Sequence, residues 1–171
     1  ASEATFVARA IDTDVEHLRT ILTRAAHHKG SAFIEILQNC IVFNDGAFTA
    51  VEDRSSRDDN ALKIQDGKPL VFGKARDKGI RMKGLAPEVA SFEAGKPPSD
   101  LIVHDEKASP AFAYMLAQME QPEFPVPVGI FRAVTEPSFE GMMDEQLKAA
   151  AQKTPADLAK LVAGPETWEV K

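Results

Sequence analysis

The first forty residues change from a two-residue to a 3.6-residue hydrophobic period and back. Residues 4–10 (ATFVARA) alternate between two sides and favour β-structure, which predicts a strand. Residues 15–25 then carry apolar side chains at every third or fourth position up to Gly30, which predicts an amphipathic helix. Thr13 and Glu16 have the spacing of a capping box at its start.

The next apolar run, residues 32–37 (AFIEIL), is short and of strand type. Together, residues 4–37 predict a strand, a helix and a second strand with brief connections. Such a βαβ unit requires parallel strands and a right-handed crossover.

The middle of the chain is less regular. Residues 44–61 are polar and predict a loop, and Asp66-Gly67 is a turn signal that predicts an antiparallel hairpin between residues 62–64 and 70–72. Residues 74–99 have weak periodicity, with short strands expected only near residues 80–82.

Strand and helix patterns return near residue 100. Strands are predicted at 101–104 and 128–134, and helices after Ser109-Pro110, after Ser138 and from Thr154 to Gly164. This alternation predicts an α/β fold with a doubly wound parallel sheet and a small antiparallel hairpin excursion. Such sheets bind ligands beyond the carboxyl ends of their strands.

We expect one domain with three parts. Residues 1–50 form the βαβ unit, residues 51–99 the loop and hairpin excursion, and residues 100–171 a C-terminal α/β part with a tail.

Composition narrows the function classes. Of 171 residues, 44% are hydrophobic and 27% charged, and no apolar run is long enough to cross a membrane. The net charge of −6 has the wrong sign for a phosphate backbone, so nucleic acid is not expected as a partner. A single cysteine and the lack of a secretory signal indicate the cytoplasm.

That single cysteine, Cys40, follows the second predicted strand and enters the polar turn Asn44-Asp45-Gly46. Two interpretations stay open: a buried, inert small hydrophobe, or a functional thiolate. None of the four histidines can be tied to it by spacing, and no metal-ligand pair, phosphate loop or serine elbow is present. No catalytic residue is therefore assigned.

A basic run is a second feature with two interpretations. Its five cations are Lys74, Arg76, Lys78, Arg81 and Lys83. They fit a surface for an acidic partner or an anionic ligand, although solubility also explains them.

Several motifs resemble, in order and spacing, the second half of the β subunit of 2-oxoacid:ferredoxin oxidoreductases. They are TFVAR at residues 5–9, EHL at 16–18, HKG at 28–30, and EILQNC followed by FNDGAF at 35–48. The tail, from Leu161 to Trp168, is similar to that of the 2-oxoglutarate branch.

The resemblance implies a partial sheet of the thiamine-diphosphate-binding type and a heteromeric enzyme. Such an enzyme decarboxylates a 2-oxoacid on thiamine diphosphate and Mg²⁺ and passes electrons through a [4Fe-4S] cluster to ferredoxin, forming an acyl-CoA. Its further partner is the α, or fused α/γ, subunit. The cysteine matching Cys40 is a cluster ligand, and Asn39 and Asn44 are candidates for hydrogen bonds around the cofactor.

This sequence departs from the family pattern in lacking the other three cluster cysteines and the GDGD-type stretch that holds Mg²⁺ and diphosphate. We therefore expect the C-terminal part of a longer subunit, without cofactors and inactive alone. An open strand edge with incomplete cover of Phe6, Ile34 and Ile36 is expected to make it self-associate. The alternative is a non-enzymatic α/β interaction module with Cys40 buried and inert.

Overall fold

The structure is a computed structural model that describes residues 4–153, 156–166 and 168. The chain divides into two compact units, Ala1–Glu136 and Pro137–Lys171. The strands of the first unit are β1 Phe6–Ile11, β2 Ala32–Leu37, β3 Ala61–Lys63, β4 Val71–Phe72, β5 Lys78–Lys83, β6 Ala86–Ser91 and β7 Val126–Ala133. Its helices are α1 Val15–His27, α2 Thr49–Glu52, α3 Arg57–Asn60 and α4 Pro110–Ala117.

The larger sheet is built around the predicted βαβ unit. Its strand order is β2-β1-β7-β3. β1 and β2 are parallel in the register that pairs Phe6 with Ala32 and Ile11 with Leu37, which confirms the prediction. β7 runs antiparallel to β1, and β3 runs parallel to β7, so the sheet is mixed.

Helices cover both faces of this sheet because alternate side chains of its strands point to opposite sides. On one face, Ile21 of α1 packs with Phe6, Ala8 and Ala10 of β1. On the other, Ala113 and Leu116 of α4 share a core with strand residues that include Leu62 and Phe131. The α/β fold class predicted from the sequence is thereby confirmed.

The second sheet holds the small antiparallel excursion, but in a different place from the prediction. Its order is β4-β5-β6, and the hairpin joins β5 to β6 through a turn at Gly84, whose φ is +64°. The hairpin predicted between residues 62–64 and 70–72 is wrong, since β3 pairs with β7 and β4 pairs with β5.

The turn signal itself is correct, because Gly67 adopts a φ of +70°. However, the chain after it runs along residues 102–104 instead of turning back on β3, and Leu70 N–H donates to the carbonyl of Ile102 at 2.8 Å. The expected strand at 101–104 is correspondingly reduced to isolated bridges, Pro69 with Val103 and Arg81 with Leu101. A local turn signal does not specify which strand the following residues pair with.

The polar segment 44–61 is also more ordered than predicted. It contains α2 and α3, and Val51 within α2 is 2% exposed in a core with Ile11 and Leu37. One buried apolar residue in a polar run leaves no detectable helical period.

The second unit, described by itself, contains α5 Phe139–Lys153 and α6 Leu158–Ala163. Ser138 Oγ accepts from the N–H of Gly141, and Asp157 accepts from the N–H of Lys160 at the start of α6. α6 ends at Gly164, whose φ is +75°. Both helices were expected, although Thr154, Pro155 and Thr167 lie outside the described residues.

Among the described residues, no helix has the length and apolar character needed to cross a bilayer.

Candidate functional site

Two loops leave the large sheet at the same end, where the parallel strands β1 and β2 terminate. Because β1 and β2 are parallel and in register, residues 12–14 and residues 38–46 both follow the carboxyl ends of their strands. This is the end at which α/β sheets commonly bind ligands. The loop of residues 38–46 contains Cys40 and is called the cysteine loop below.

Asn39 holds the cysteine loop together from within. Its side-chain Nδ2 donates to Asp45 Oδ1 at 2.9 Å, and its Oδ1 accepts from the N–H of Gly46 at 2.9 Å. Gly46 has a φ of +78°, a conformation in which glycine is favoured. The Asn39 amide therefore determines the shape of the loop.

Asn44 acts through its backbone. Its N–H donates to the Cys40 carbonyl at 2.9 Å, and the two residues form an isolated antiparallel bridge. This bridge brings the chain back beside the cysteine after three residues.

Cys40 is exposed, not buried. The pKa of the Cys40 thiol lies below its ordinary value, mainly because the backbone N–H groups of Phe43 and Val42 lie close to the sulfur; burial opposes the shift, and the N–H of Asn44 adds a smaller lowering. A thiol that is exposed and surrounded by N–H donors favours the thiolate, which is the metal-binding form. The interpretation of Cys40 as a buried small hydrophobe is therefore wrong.

The residues between Cys40 and Asn44 are apolar and exposed. The exposed fractions are 79% for Ile41, 76% for Val42 and 90% for Phe43. Three consecutive exposed apolar residues are uncommon on a monomeric surface and are typical of a contact region.

The loop after β1 is held by ion pairs instead. Asp14 lies 2.7 Å from Lys63 Nζ and 3.7 Å from Arg57 Nη1. Burial alone would raise the pKa of Asp14, but the hydrogen bond from Lys63 and the charges of Lys63, His17 and Arg57 outweigh it, so the pKa lies below its ordinary value of 3.8.

Arg57, the first residue of α3, is buried against the loop after β1, with 7% of its surface exposed. It donates from Nε to the carbonyl of Val51 at 2.7 Å and from Nη2 to Thr13 Oγ1 and the carbonyl of Glu52, both at 2.6 Å. Thr13 is thus occupied by Arg57, and the predicted capping box with Glu16 does not form. The residue before α1 is Asp14, whose side chain makes no capping bond.

Three of the four histidines make hydrogen bonds to other groups of the chain. His27 Nδ1 lies 2.8 Å from the carbonyl of Thr23, and His28 Nε2 lies 2.8 Å from Thr5 Oγ1. His104 is 1% exposed and donates from Nε2 to the carbonyl of Ile130 at 2.7 Å.

His17 is the exception, because it faces the charged cluster around Asp14. Its pKa is lowered, mainly by burial and also by the charges of Lys63 and Arg57, while Asp14 opposes the shift. Within the described ranges, no three His, Cys, Asp or Glu side chains are grouped closely enough to hold a metal ion.

The comparison with known proteins supports the resemblance in the motifs. The chain is 36% identical to 2-oxoglutarate oxidoreductase subunit KorB of Mycobacterium tuberculosis over 174 residues, which is 99% of this chain and 46% of the relative. The chain is homologous to the β subunits of 2-oxoacid:ferredoxin oxidoreductases.

Other relatives of this family match a shorter part. Subunit beta of 2-oxoacid:ferredoxin oxidoreductase 1 from Aeropyrum pernix is 56% identical over 45 residues, 26% of this chain. No protein-family model matches the chain. The chain spans about half the length, 46%, of the curated relative that it matches throughout.

The fold is also that of a family member. A solved structure of 2-oxoglutarate:ferredoxin oxidoreductase from Magnetococcus marinus, with 2-oxoglutarate, coenzyme A and succinyl-CoA bound, matches 95% of this chain and 41% of that chain. The TM-score is 0.56 at 17% sequence identity, which is evidence for the fold alone.

Proposed function

We propose that this chain is part of a 2-oxoacid:ferredoxin oxidoreductase in which Cys40 is one of the thiolate ligands of a [4Fe-4S] cluster. The complete enzyme oxidatively decarboxylates a 2-oxoacid to an acyl-CoA and passes the electrons to ferredoxin. Thiamine diphosphate with Mg²⁺ supplies the decarboxylation chemistry when bound, and the α or fused α/γ subunit completes the complex in the cytoplasm.

The observation that carries this proposal is the environment of Cys40. The thiol lies three residues beyond the carboxyl end of β2, is exposed, and has a lowered pKa because the backbone N–H groups of Phe43 and Val42 lie close to the sulfur. Iron–sulfur clusters are held by cysteine thiolates, and N–H bonds to sulfur adjust their potentials. Cys40 therefore has both the ligand and the donors that such a site requires.

Asn39 and Asn44 have different roles in this proposal. The N–H of Asn44 donates to the Cys40 carbonyl and closes the turn around the cysteine, whereas the Asn39 amide is bonded to Asp45 and Gly46 and positions the loop. Outer groups of this kind hold a ligand in the orientation that a metal needs.

One thiolate cannot hold four irons, so the other ligands come from beyond these 171 residues. The sequence has one cysteine. We expect the chain by itself to be colourless and to bind no thiamine diphosphate. A brown preparation with iron, or calorimetric binding of thiamine diphosphate, contradicts this part of the proposal.

The proposed substrate is 2-oxoglutarate, with pyruvate second. This choice rests on the tail sequence and on the 36% identity to a 2-oxoglutarate oxidoreductase subunit. The test is kcat/KM of the reconstituted complex for each acid. A higher value for pyruvate overturns the choice of substrate without affecting the role of Cys40.

The role in electron transfer has its own experiment. The complete complex carrying Cys40→Ser should lose reduction of ferredoxin by 2-oxoglutarate, since serine oxygen is a poor ligand for soft iron. Val42→Ala is the matched control, because the Val42 side chain is exposed in the same loop and its effect on the thiol is through the backbone N–H, which alanine keeps. Unchanged ferredoxin reduction by Cys40→Ser contradicts the proposal.

A further inference from the structure

A concave, positively charged cavity lies beside β3, which is the outer strand of the large sheet at the edge opposite β2. Its volume is about 450 Å³, and it is lined by residues of α3, of β3, of β4, of the β3–β4 connection and of the loop that follows β4. The cations on its lining are Lys63, Lys68, Lys74 and Arg76, and the lining includes one carboxylate, Asp58. We propose that this cavity binds a small molecule that carries phosphate groups.

The structure divides the basic run of the sequence into two parts. Arg81 pairs with Glu88 at 2.6 Å and with Asp100 at 3.3 Å, and Lys83 pairs with Glu88 at 3.4 Å. Those two cations are therefore already neutralised along the β5–β6 hairpin. Because Arg81 and Lys83 are paired with carboxylates, we do not assign them to a ligand.

The cavity cations are in a different situation. Lys63 is paired with Asp14, whereas Lys68, Lys74 and Arg76 make no ion pair with any carboxylate in the described part of the chain. Three unpaired cations around one cavity are unexpected in a chain whose net charge is −6. Such a concave cluster of one sign concentrates anions.

The loop that carries two of these cations has a defined shape. Asp59 Oδ1 accepts from the N–H of Lys74 at 3.0 Å, and the N–H of Gly73 donates to the carbonyl of Asp58 at 2.9 Å. Gly73 has a φ of +90°, and an added Cβ there would lie 2.9 Å from Asp77 Oδ1. The loop is thus tied to α3 by bonds that a longer residue at Gly73 would disturb.

Arg76 has a φ of +53°, and it is a non-glycine residue with positive φ in the first unit. Its N–H donates to the carbonyl of Gly73 at 2.8 Å, which closes the turn. A left-handed conformation at a residue with a side chain costs about 1 kcal/mol or more, and such residues are enriched at ligand sites.

The cavity also has an apolar wall. Pro69, Val71 and Phe72 line it, and Phe72 is 7% exposed and therefore fixed in the core. The volume lies in the range of about 300 to 1,000 Å³ that is usual for small-molecule sites. Cations without carboxylate partners around a concave apolar wall suit a ligand with phosphate groups on an organic part, and suit a flat acidic protein surface less well.

This inference is independent of the proposed role of Cys40, and its test uses no enzyme activity. Pyrophosphate is titrated into the 171-residue chain by calorimetry, with wild type compared with the double variant Lys74→Gln/Arg76→Gly. Glycine is chosen at position 76 because it adopts a positive φ without strain. The control is Lys83→Gln, which removes the same kind of charge outside the cavity.

We expect wild type to bind pyrophosphate, the double variant to bind about tenfold more weakly or worse, and Lys83→Gln to bind as wild type does. Two results overturn the proposal: wild type binds no pyrophosphate, or Lys83→Gln weakens binding as much as the double variant. Binding of polyglutamate without binding of pyrophosphate also overturns it, in favour of an acidic protein partner. Because the affected residues are exposed, Lys83→Gln should unfold thermally as wild type does, and the double variant should remain within about 4 °C of it, since the backbone change at position 76 is worth about 1 kcal/mol.

Discussion

The loops that follow β1 and β2 leave the sheet at the same end of its strands, but they differ in which of their side chains bond within the chain and which are exposed. After β1, the charge of Asp14 is compensated by Lys63 and Arg57, and Arg57 is buried. After β2, the cysteine loop exposes a thiol and three apolar side chains.

In the loop after β1 the charged groups bond to other groups of the chain, whereas the cysteine loop exposes groups that a partner or a metal could contact. The Arg57 guanidinium donates to Thr13 Oγ1 and to the carbonyls of Val51 and Glu52, which are all groups of this chain. In the cysteine loop, the internal bonds of Asn39 fix the backbone, but the thiol and the side chains of residues 41–43 remain available. We infer that the first loop stabilises the fold and that the second presents a ligand.

The largest expected effect on stability is at Arg57. Replacement by alanine leaves the carbonyl of Val51 without its side-chain donor, leaves that of Glu52 with Thr13 Oγ1 alone, and reduces the compensation of Asp14, so the free energy of unfolding should fall by about 3 kcal/mol. Urea denaturation measures this loss. Arg54→Ala, in the same segment but exposed, should change stability by less than about 0.5 kcal/mol. Equal effects of the two variants would break the contrast between the loops.

The edge of the sheet beside the cysteine loop should drive self-association. β2 is the outer strand of the large sheet, and Phe33 and Ile36 on it are 60% and 44% exposed. Burial of this surface is worth about 25 cal/mol per Å². Phe6, expected to lack cover, is instead 1% exposed beneath α1.

Sedimentation velocity at two concentrations tests this association. Wild type should show a concentration-dependent increase in mass, and Phe33→Lys should weaken it by about tenfold, because a charged residue at an open edge opposes strand pairing. A single monomeric species of wild type at both concentrations, with cooperative unfolding, would mean that residues 1–171 are a self-sufficient domain.

Asp14 gives the loop after β1 a dependence on pH. Its pKa is lower in the folded chain than the ordinary 3.8, so its contribution to stability is complete above that value and is lost as the pH falls through the folded pKa. Asp14→Asn should reduce stability at neutral pH by about 1 kcal/mol and flatten the acid limb of the profile below pH 4.

His17 must be separated from Asp14 in that experiment. Its lowered pKa means that protonation favours the unfolded chain, so its effect begins as the pH falls below 6.5. An Asp14→Asn variant whose acid limb between pH 4 and the folded pKa is as steep as that of wild type contradicts the role of the Lys63 and Arg57 pairs.

The parts of the fold that could be predicted are those with a strong local hydrophobic period. β1, α1 and β2 have strong periods, and Cys40 stands at the end of a recognisable strand, so the βαβ unit and the position of the cysteine followed from the residues. The pairing of β3 with β7 joins residues that are far apart in sequence, and no local turn signal encodes it.

The Asp14 and Arg57 cluster was missed for the same reason. Arg57 lies in a polar run that is typical of a solvated loop, and only its burial against residues 13 and 14 distinguishes it from Arg54. The exposure of Cys40 was also left open by the sequence, because a cysteine after a strand is compatible with either environment.

The smallest effect on stability is expected in the cysteine loop. Ile41→Ser and Phe43→Ser remove side chains that are 79% and 90% exposed, so each should change the free energy of unfolding of this chain by less than about 0.5 kcal/mol. Urea denaturation beside the Arg57→Ala variant makes the comparison direct. A loss of more than 2 kcal/mol for either variant would show that the loop supports the fold.

The central claim is that Cys40 is a ligand of an iron–sulfur cluster, and iron with acid-labile sulfide in the complete subunit tests it most directly. Wild type and Val42→Ala should contain equal amounts of both elements for each subunit, whereas Cys40→Ala should lose most of both. Iron and sulfide in Cys40→Ala equal to those of wild type would contradict the assignment.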